Sequence, residues 1–219
     1  MRSKQNILLC LFFIVAFAAF GQQRASEQML WLNIHITKEL PQNFSAKVKV
    51  SYYSTMPTFS PRFIDAGVTH KMNKHFSFGL FYRFIGTFNT SQQRVYFETS
   101  YKKLKVESLG ISLGARFRVQ HRLRELTETS NIYTYQMRPR FSIDKSLTNN
   151  LKAYSAVESF YSNQGKGTDF NFDRLRFDLG VSHKIPQTNH QLRIYYRYQA
   201  DTDKTEALSM LNIGYRFSF

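Results

Sequence analysis

Cysteine is nearly absent from this chain: among its 219 residues, Cys10 is the only one. It lies inside the first apolar run, so a chain that lost this run would hold no disulfide and no thiolate metal site. Acidic residues are also scarce, 15 against 30 lysines and arginines, and the formal net charge is +15. Because the basic residues are spread along the chain at alternating positions, rather than gathered in a tail or helix, we do not expect a nucleic-acid-binding protein.

Long apolar runs are missing except for one near the N-terminus, which follows two basic residues. A basic start, a short apolar stretch and small residues at its end are typical of a secretory signal peptide. Ala19 and Gly21 occupy the small positions, so we predict a signal peptide over residues 1–21 and one mature domain over residues 22–219. No later run approaches the roughly 18 apolar residues of a membrane-spanning helix.

Most of the mature chain alternates apolar and polar residues with a period of two, as β-strands with two different faces do. In the clearest segment, 109–120, Leu, Ile, Ala, Phe and Val alternate with Gly, Ser, Arg and Gln. We count eleven such segments, each of about ten to sixteen residues, whereas soluble strands usually have about five or six. This pattern predicts an all-β fold, an antiparallel transmembrane β-barrel.

The expected strand number follows from the segment count and from what is usual in known barrels. Single-chain bacterial barrels usually have an even number of strands. A count of eleven therefore suggests that one segment is merged, split or spurious, and we expect ten to twelve strands. The weakest segments are the first after residue 21 and 94–101, whose end is obscured by the run of lysines that follows it.

The closing segment, 211–219, repeats the two-faced pattern and ends the chain on a bare aromatic residue. Its apolar positions are Leu, Ile, Tyr, Phe and Phe, and its polar positions are Asn, Gly, Arg and Ser. In a membrane barrel such a strand turns its aromatic side chains toward lipid and its polar side chains toward the lumen. By analogy with other outer-membrane proteins, we predict that Tyr215, Phe217 and Phe219 form a signal for the barrel-assembly machinery.

Arginine gathers on the polar face of the predicted strands, which in a membrane barrel lines the interior. The predicted lumen-facing basic set consists of Arg83, Arg116, Arg118, Arg122, Arg124, Arg138, Arg140, Arg174, Arg176, Arg193, Arg197 and Arg216. Four acidic residues are their predicted partners: Asp65, Glu98, Glu158 and Asp178. Together these residues would form an internal ion-paired lattice, a narrow porin-like path that favours anions, or both.

Little in the sequence suggests catalysis or metal binding. No His, Asp and Glu cluster has metal-ligand spacing, and no serine stands in a signature context, so we expect no metal, no cofactor and no enzymatic activity. However, His70, His121 and His183 fall on or near the apolar face. This leaves open an enzyme that modifies lipid or lipopolysaccharide with a lipid-facing Ser and His. A third alternative, a secreted soluble barrel that binds an apolar ligand, requires the apolar face to point inward.

The sequence resembles outer-membrane β-barrel proteins catalogued as domain of unknown function 2490. The resemblance runs from residue 31 to residue 219 and is carried by Trp31 and by the segments 116–124, 158–161, 173–180 and 195–198. It implies a location in a bacterial outer membrane and brings neither an activity nor catalytic residues. We therefore expect a small monomeric barrel in contact with outer-membrane lipid and lipopolysaccharide, whose role is structural or that of a narrow pore.

Overall fold

The strands of this chain close into a single barrel of eleven. The computed structural model describes residues 26–55, 58–86, 91–127, 130–163, 169–203 and 207–219. In chain order the strands are β1 Ser26–Glu39, β2 Phe44–Thr55, β3 Thr58–Lys71, β4 Phe76–Gly86, β5 Ser91–Val106, β6 Ile111–Thr127, β7 Ser130–Ser146, β8 Leu151–Asn163, β9 Asn171–Lys184, β10 His190–Asp201 and β11 Ala207–Ser218. A single 3-10 turn, Glu107–Leu109, precedes β6 in the described part of the chain. The predicted all-β barrel is confirmed.

The eleven strands confirm the number of segments counted in the sequence and fall within the expected ten to twelve. The suggestion that one segment was merged, split or spurious is wrong. Strands joined one after another in antiparallel fashion alternate in direction, so the first and last of eleven point the same way. The barrel accordingly closes through a parallel pair of β1 and β11, in which Leu30 lies opposite Leu211. The start of β1 and the end of β11 therefore lie at opposite ends of the barrel, called here the β1-start end and the C-terminal end.

The segment 94–101, where the alternation of apolar and polar residues is weak, belongs to a full strand. β5 extends over Ser91–Val106, well beyond the predicted segment 94–101. Its pairing with β6 shifts by one residue between Lys102 and Leu104. This irregularity falls in the lysine run that obscured the alternation, because a shifted register moves the following side chains to the other face.

The N-terminal segment assigned to a signal peptide, residues 1–21, lies outside the described residues, and so does Cys10. The domain boundary at residue 22 therefore stays a prediction. Within the described ranges, no helix combines the length and the apolar composition needed to cross a membrane.

The two faces of the strands point as a membrane barrel requires. Outside, Leu80 and Phe141 are 60% and 62% exposed. Inside, Gln120, Glu158 and Asp178 are each 1% exposed. Aliphatic and aromatic side chains thus cover the outer wall, and the charged side chains lie within.

Near the C-terminal end, inward-facing glycines leave room for aromatic rings that lie against the wall. A Cβ added at Gly67 would lie 2.3 Å from Cδ1 of Phe81, and the Phe81 ring stacks on Tyr96 with 5.0 Å between centroids. Similarly, Tyr195 lies over Gly180. These rings fill part of the interior and so restrict open space in this half of the barrel.

The contact at Gly180 predicts a large difference between two inward-facing glycines. A Cβ at Gly180 would lie 2.3 Å from the Ile194 carbonyl oxygen, whereas the nearest atoms at Gly214 are 3.8 Å away. Because an overpacked site forces backbone shifts, we expect Gly180→Ala to lower the free energy of unfolding by about 1–3 kcal/mol. The measurement is urea unfolding of the refolded protein in one detergent, with Gly214→Ala as the control. Equal stability of the two variants would contradict this packing.

Candidate functional site

The barrel encloses a cavity of about 340 Å³, lined from the middle of the barrel toward the β1-start end. Eleven cationic side chains line it: Lys49, Arg83, Arg94, Arg116, Arg118, Arg122, Arg138, Arg140, Arg174, Arg176 and Arg197. Glu158 is the one carboxylate among its described lining residues. Other carboxylates lie behind the arginines. The cavity is therefore strongly basic, and its charge depends on how completely those carboxylates are paired.

Glu158, on β8, is the centre of the ion pairing, and four arginines surround its carboxylate. Arg116 Nη2 and Arg138 Nη2 donate to Oε1 at 2.5 Å and 3.0 Å. Arg176 Nη1 donates to Oε2 at 3.4 Å, and Arg140 Nη1 lies 3.6 Å from the same atom. One buried charge thus connects side chains of β6, β7 and β9, and the arginines satisfy an anion that would otherwise be very unfavourable to bury.

Two further carboxylates extend this pairing to both sides. Arg197 donates from Nε and Nη2 to Asp178 at 2.6 Å and 2.9 Å, and Arg140 Nη2 donates to the same carboxylate at 2.8 Å. On the other side, Arg118 Nη2 donates to Glu98 at 2.6 Å, and Arg116 lies 3.7 Å from Glu98. Because Arg116 and Arg140 each contact two carboxylates, the ion pairs join into one network, called here the carboxylate lattice: Glu98, Glu158, Asp178 and their arginines.

A different arrangement lies on β2 to β6. Lys49, Asp65, Arg83, Arg94 and Arg122 stand opposite one another in consecutive registers; we call them the arginine row. The fork of Arg83 takes both oxygens of Asp65, at 2.5 Å and 2.7 Å. Neither Lys49 nor Arg94 forms an ion pair within the described residues, and Arg94 Nε donates instead to Gln92 at 2.9 Å. The row therefore concentrates positive charge.

Aromatic rings inside the barrel support the cations. The guanidinium of Arg83 and the ammonium of Lys49 lie 4.2 Å and 5.0 Å from the centroid of Phe63. On the β8 side, Arg138 lies 4.3 Å from the centroid of Phe160. Such contacts favour a cation through the negative face of the ring. They also hold the flexible side chains in place along the wall.

The structure places most of the predicted arginines around the cavity. Nine of them line it, while Arg193 and Arg216 do not. Arg193 lies 3.7 Å above the ring of Tyr154, and Arg216 stands opposite His35 near the C-terminal end. The side chain of Arg124 lies outside the described part. The four predicted acidic partners each contact a lumen arginine.

Sequence reasoning missed several charged members of this interior, among them Arg94, Lys49 and Asp201. Arg94 has the inward parity of β5 but lies in the segment with the weakest pattern, and Lys49 shares its face with no arginine on β2. Asp201 is the last residue of β10, and its Oδ1 lies 2.6 Å from Arg174 Nε. The parity of each strand could have identified the first two, whereas the partner of Asp201 depends on the tilt and register of β9 and β10.

The histidines of the enzyme alternative lie on the outer wall among apolar neighbours. His70 packs against Phe44 and His121 against Tyr135, with ring centroids 4.4 Å and 4.7 Å apart. His183 pairs in register with Leu151 and Leu192. In the described ranges no group of three or more His, Cys, Asp or Glu residues could hold a metal ion.

The predicted assembly signal occupies the C-terminal end of the outer wall. The rings of Phe217 and Phe219 lie 5.2 Å apart, and the Lys38 ammonium lies 5.1 Å from the centroid of Phe219. Tyr215 forms a hydrogen bond with His190. These side chains join the aromatic outer surface, and their recognition by assembly machinery stays a prediction.

Fold and interior together define the molecule as a closed β-barrel with an apolar outer wall and a basic, ion-paired lumen. The chain belongs to the family described as protein of unknown function DUF2490, whose model matches residues 28–209. That range contains every described cavity-lining residue except Met210. The family resemblance seen in the sequence is thus confirmed. No curated protein matches the chain.

The lattice predicts that Glu158 is important for stability. In Glu158→Gln the side chain keeps its volume but loses the charge that four arginines surround, so we expect a loss of about 3–5 kcal/mol in the free energy of unfolding. The matched control is Glu39→Gln, which removes an exposed ion pair with Lys71 and should cost about 1 kcal/mol or less. Urea unfolding in detergent measures both. If Glu158→Gln is no less stable than Glu39→Gln, the lattice does not support the fold.

Proposed function

We propose that this protein spans a bacterial outer membrane and that its lumen is a narrow path that favours anions. The observation that carries the proposal is the direction of the two faces: apolar side chains outward, and a basic cavity inside. Strand length agrees with this, since the shortest strand has 11 residues and about nine to eleven suffice for a tilted span. The signal peptide expected over residues 1–21 would direct the chain into the secretory route toward that membrane.

Charge selectivity follows from the lining. A cation entering the cavity would meet eleven cationic side chains and the single lining carboxylate of Glu158. The other carboxylates lie behind arginines and are already paired. Because rings of charged side chains set the selectivity of a pore, the lumen should admit chloride and phosphate more readily than potassium.

The path would be narrow for two reasons. The carboxylate lattice spans side chains of β5 to β10 and occupies the middle of the interior. Toward the C-terminal end, Phe81 and Tyr195 fill space over glycines. Their rings pack on Tyr96 and Tyr154. The same contacts hold the wall together, so a structural role and a restricted anion path rely on the same residues.

The two alternatives receive less support. A soluble barrel for an apolar ligand requires an apolar interior, whereas charged and polar side chains cover the inward face. An enzyme at the outer wall requires an activated Ser and His. The neighbours described for His70, His121 and His183 are aromatic or aliphatic. We therefore propose no catalytic role.

Planar bilayer recording across a KCl gradient tests the pore. We expect small discrete conductance steps with a reversal potential that indicates preference for chloride. Arg94→Gln combined with Arg122→Gln should reduce this preference, because two charges are removed from the lining. Lys38→Gln, on the outer wall beside Phe219, is the control and should leave it unchanged. Protein that shows the gel shift of a folded barrel on boiling, yet gives no steps or prefers potassium, would overturn the anion path.

A further inference from the structure

We infer that the arginine row is a binding site for a small multivalent anion that carries phosphate groups. The inference rests on the basic lumen of the proposed function, but it requires binding in the cavity rather than passage through the barrel. The row and the side chains beside it on β1 form the site: Trp31, Asn33, Lys49, Arg83, Arg94 and Arg122.

Like charges are aligned side by side in the arginine row. Arg83, Arg94 and Arg122 stand directly opposite one another on β4, β5 and β6. Side chains in such positions are separated by about 5 Å at Cβ, and like charges there repel. In the carboxylate lattice Arg116 also stands opposite Arg140, and Arg118 opposite Arg138. Each of those four arginines, however, contacts Glu98, Glu158 or Asp178. In the row, Asp65 is the one carboxylate, and Arg83 already takes both of its oxygens. A bound anion would offset this repulsion.

Two buried hydrogen-bond donors beside the row point to a ligand independently of its charge. Trp31 Nε1 and Asn33 Nδ2 are buried and have no hydrogen-bond partner among the described residues, although both residues line the cavity. The Asn33 Oδ1 atom accepts from Ser51 at 2.7 Å, so the amide nitrogen is the end left over. Buried donors without acceptors are unfavourable. An oxygen-rich ligand in the cavity would supply the acceptors.

Size and donor chemistry define the ligand class. A cavity of about 340 Å³ is at the small end of the ligand-pocket range, so the ligand is a small molecule. Guanidinium forks bind oxyanions in bidentate fashion, and the Lys49 ammonium adds a compact charge. A phosphate group presents three acceptor oxygens in different directions. It can therefore reach donors on β1, β2 and β5 together, which a planar carboxylate cannot do equally well.

Isothermal titration calorimetry of the refolded protein in neutral detergent, with inorganic pyrophosphate as the probe, tests the site. At an ionic strength of about 0.1 M, where exposed charges are largely screened, we expect saturable binding. Lys49→Gln and Arg94→Gln should each weaken it about tenfold, as expected for the loss of one charge-assisted contact. Arg216→Gln is the matched control: it removes the same charge from the barrel, but Arg216 does not line the cavity, so binding should be unchanged.

Citrate distinguishes the ligand class, and the variants distinguish a site from a general charge effect. Citrate binding as tight as that of pyrophosphate would overturn the assignment to phosphate. No saturable binding, or equal weakening by Arg94→Gln and Arg216→Gln, would overturn the site. Failure of the binding site can be distinguished from failure of the anion path. A barrel that conducts anions without binding pyrophosphate removes this inference alone. A barrel that binds pyrophosphate without conducting removes only the pore.

Discussion

A closed barrel of eleven strands holds its inward side chains away from bulk water, so each charge inside needs a partner from another strand. Glu158 meets this requirement for Arg116, Arg138, Arg140 and Arg176. The rest of the interior follows from it. Where carboxylates are available, arginines join into a lattice that ties β5 to β10. In the arginine row, where Asp65 is the one carboxylate beside four cations, positive charge is left in excess. Arginine thus contributes to stability where carboxylates balance its charge, and to the proposed affinity for anions where its charge is in excess.

The outer wall differs from the interior, because most of its side chains are aliphatic or aromatic. Large apolar residues such as Leu80 and Phe141 stay exposed, which is unfavourable in water and favourable against hydrocarbon. Inside, glycine has a packing role: Gly67 and Gly180 admit the rings of Phe81 and Tyr195 against the wall. The period of two in the sequence therefore encodes two different faces, an apolar outer one and a polar inner one.

Alternation predicted the barrel, the inward face and the acidic partners, because parity alone decides which face a side chain occupies. It could not predict which residues meet. The contact of Glu158 with Arg176 depends on the register of β8 with β9, and the closure of β1 on β11 depends on strand direction. Arg94 was missed because the lysine run near the end of β5 disturbs the pattern of that strand. The preference for even strand numbers is a statistical rule about other barrels and carries no physical requirement on this chain.

Fluorescence quenching tests most directly whether the outer wall contacts lipid, as we propose. In a Cys10→Ser background, a probe attached at Phe141→Cys reports on the outer wall, and one at Asn149→Cys, in the exposed turn after β7, reports on water. After reconstitution in bilayers with brominated acyl chains, the account predicts quenching at position 141 by the lipid and not by iodide, and the reverse at position 149. Iodide quenching at position 141 without quenching by brominated lipid would contradict it.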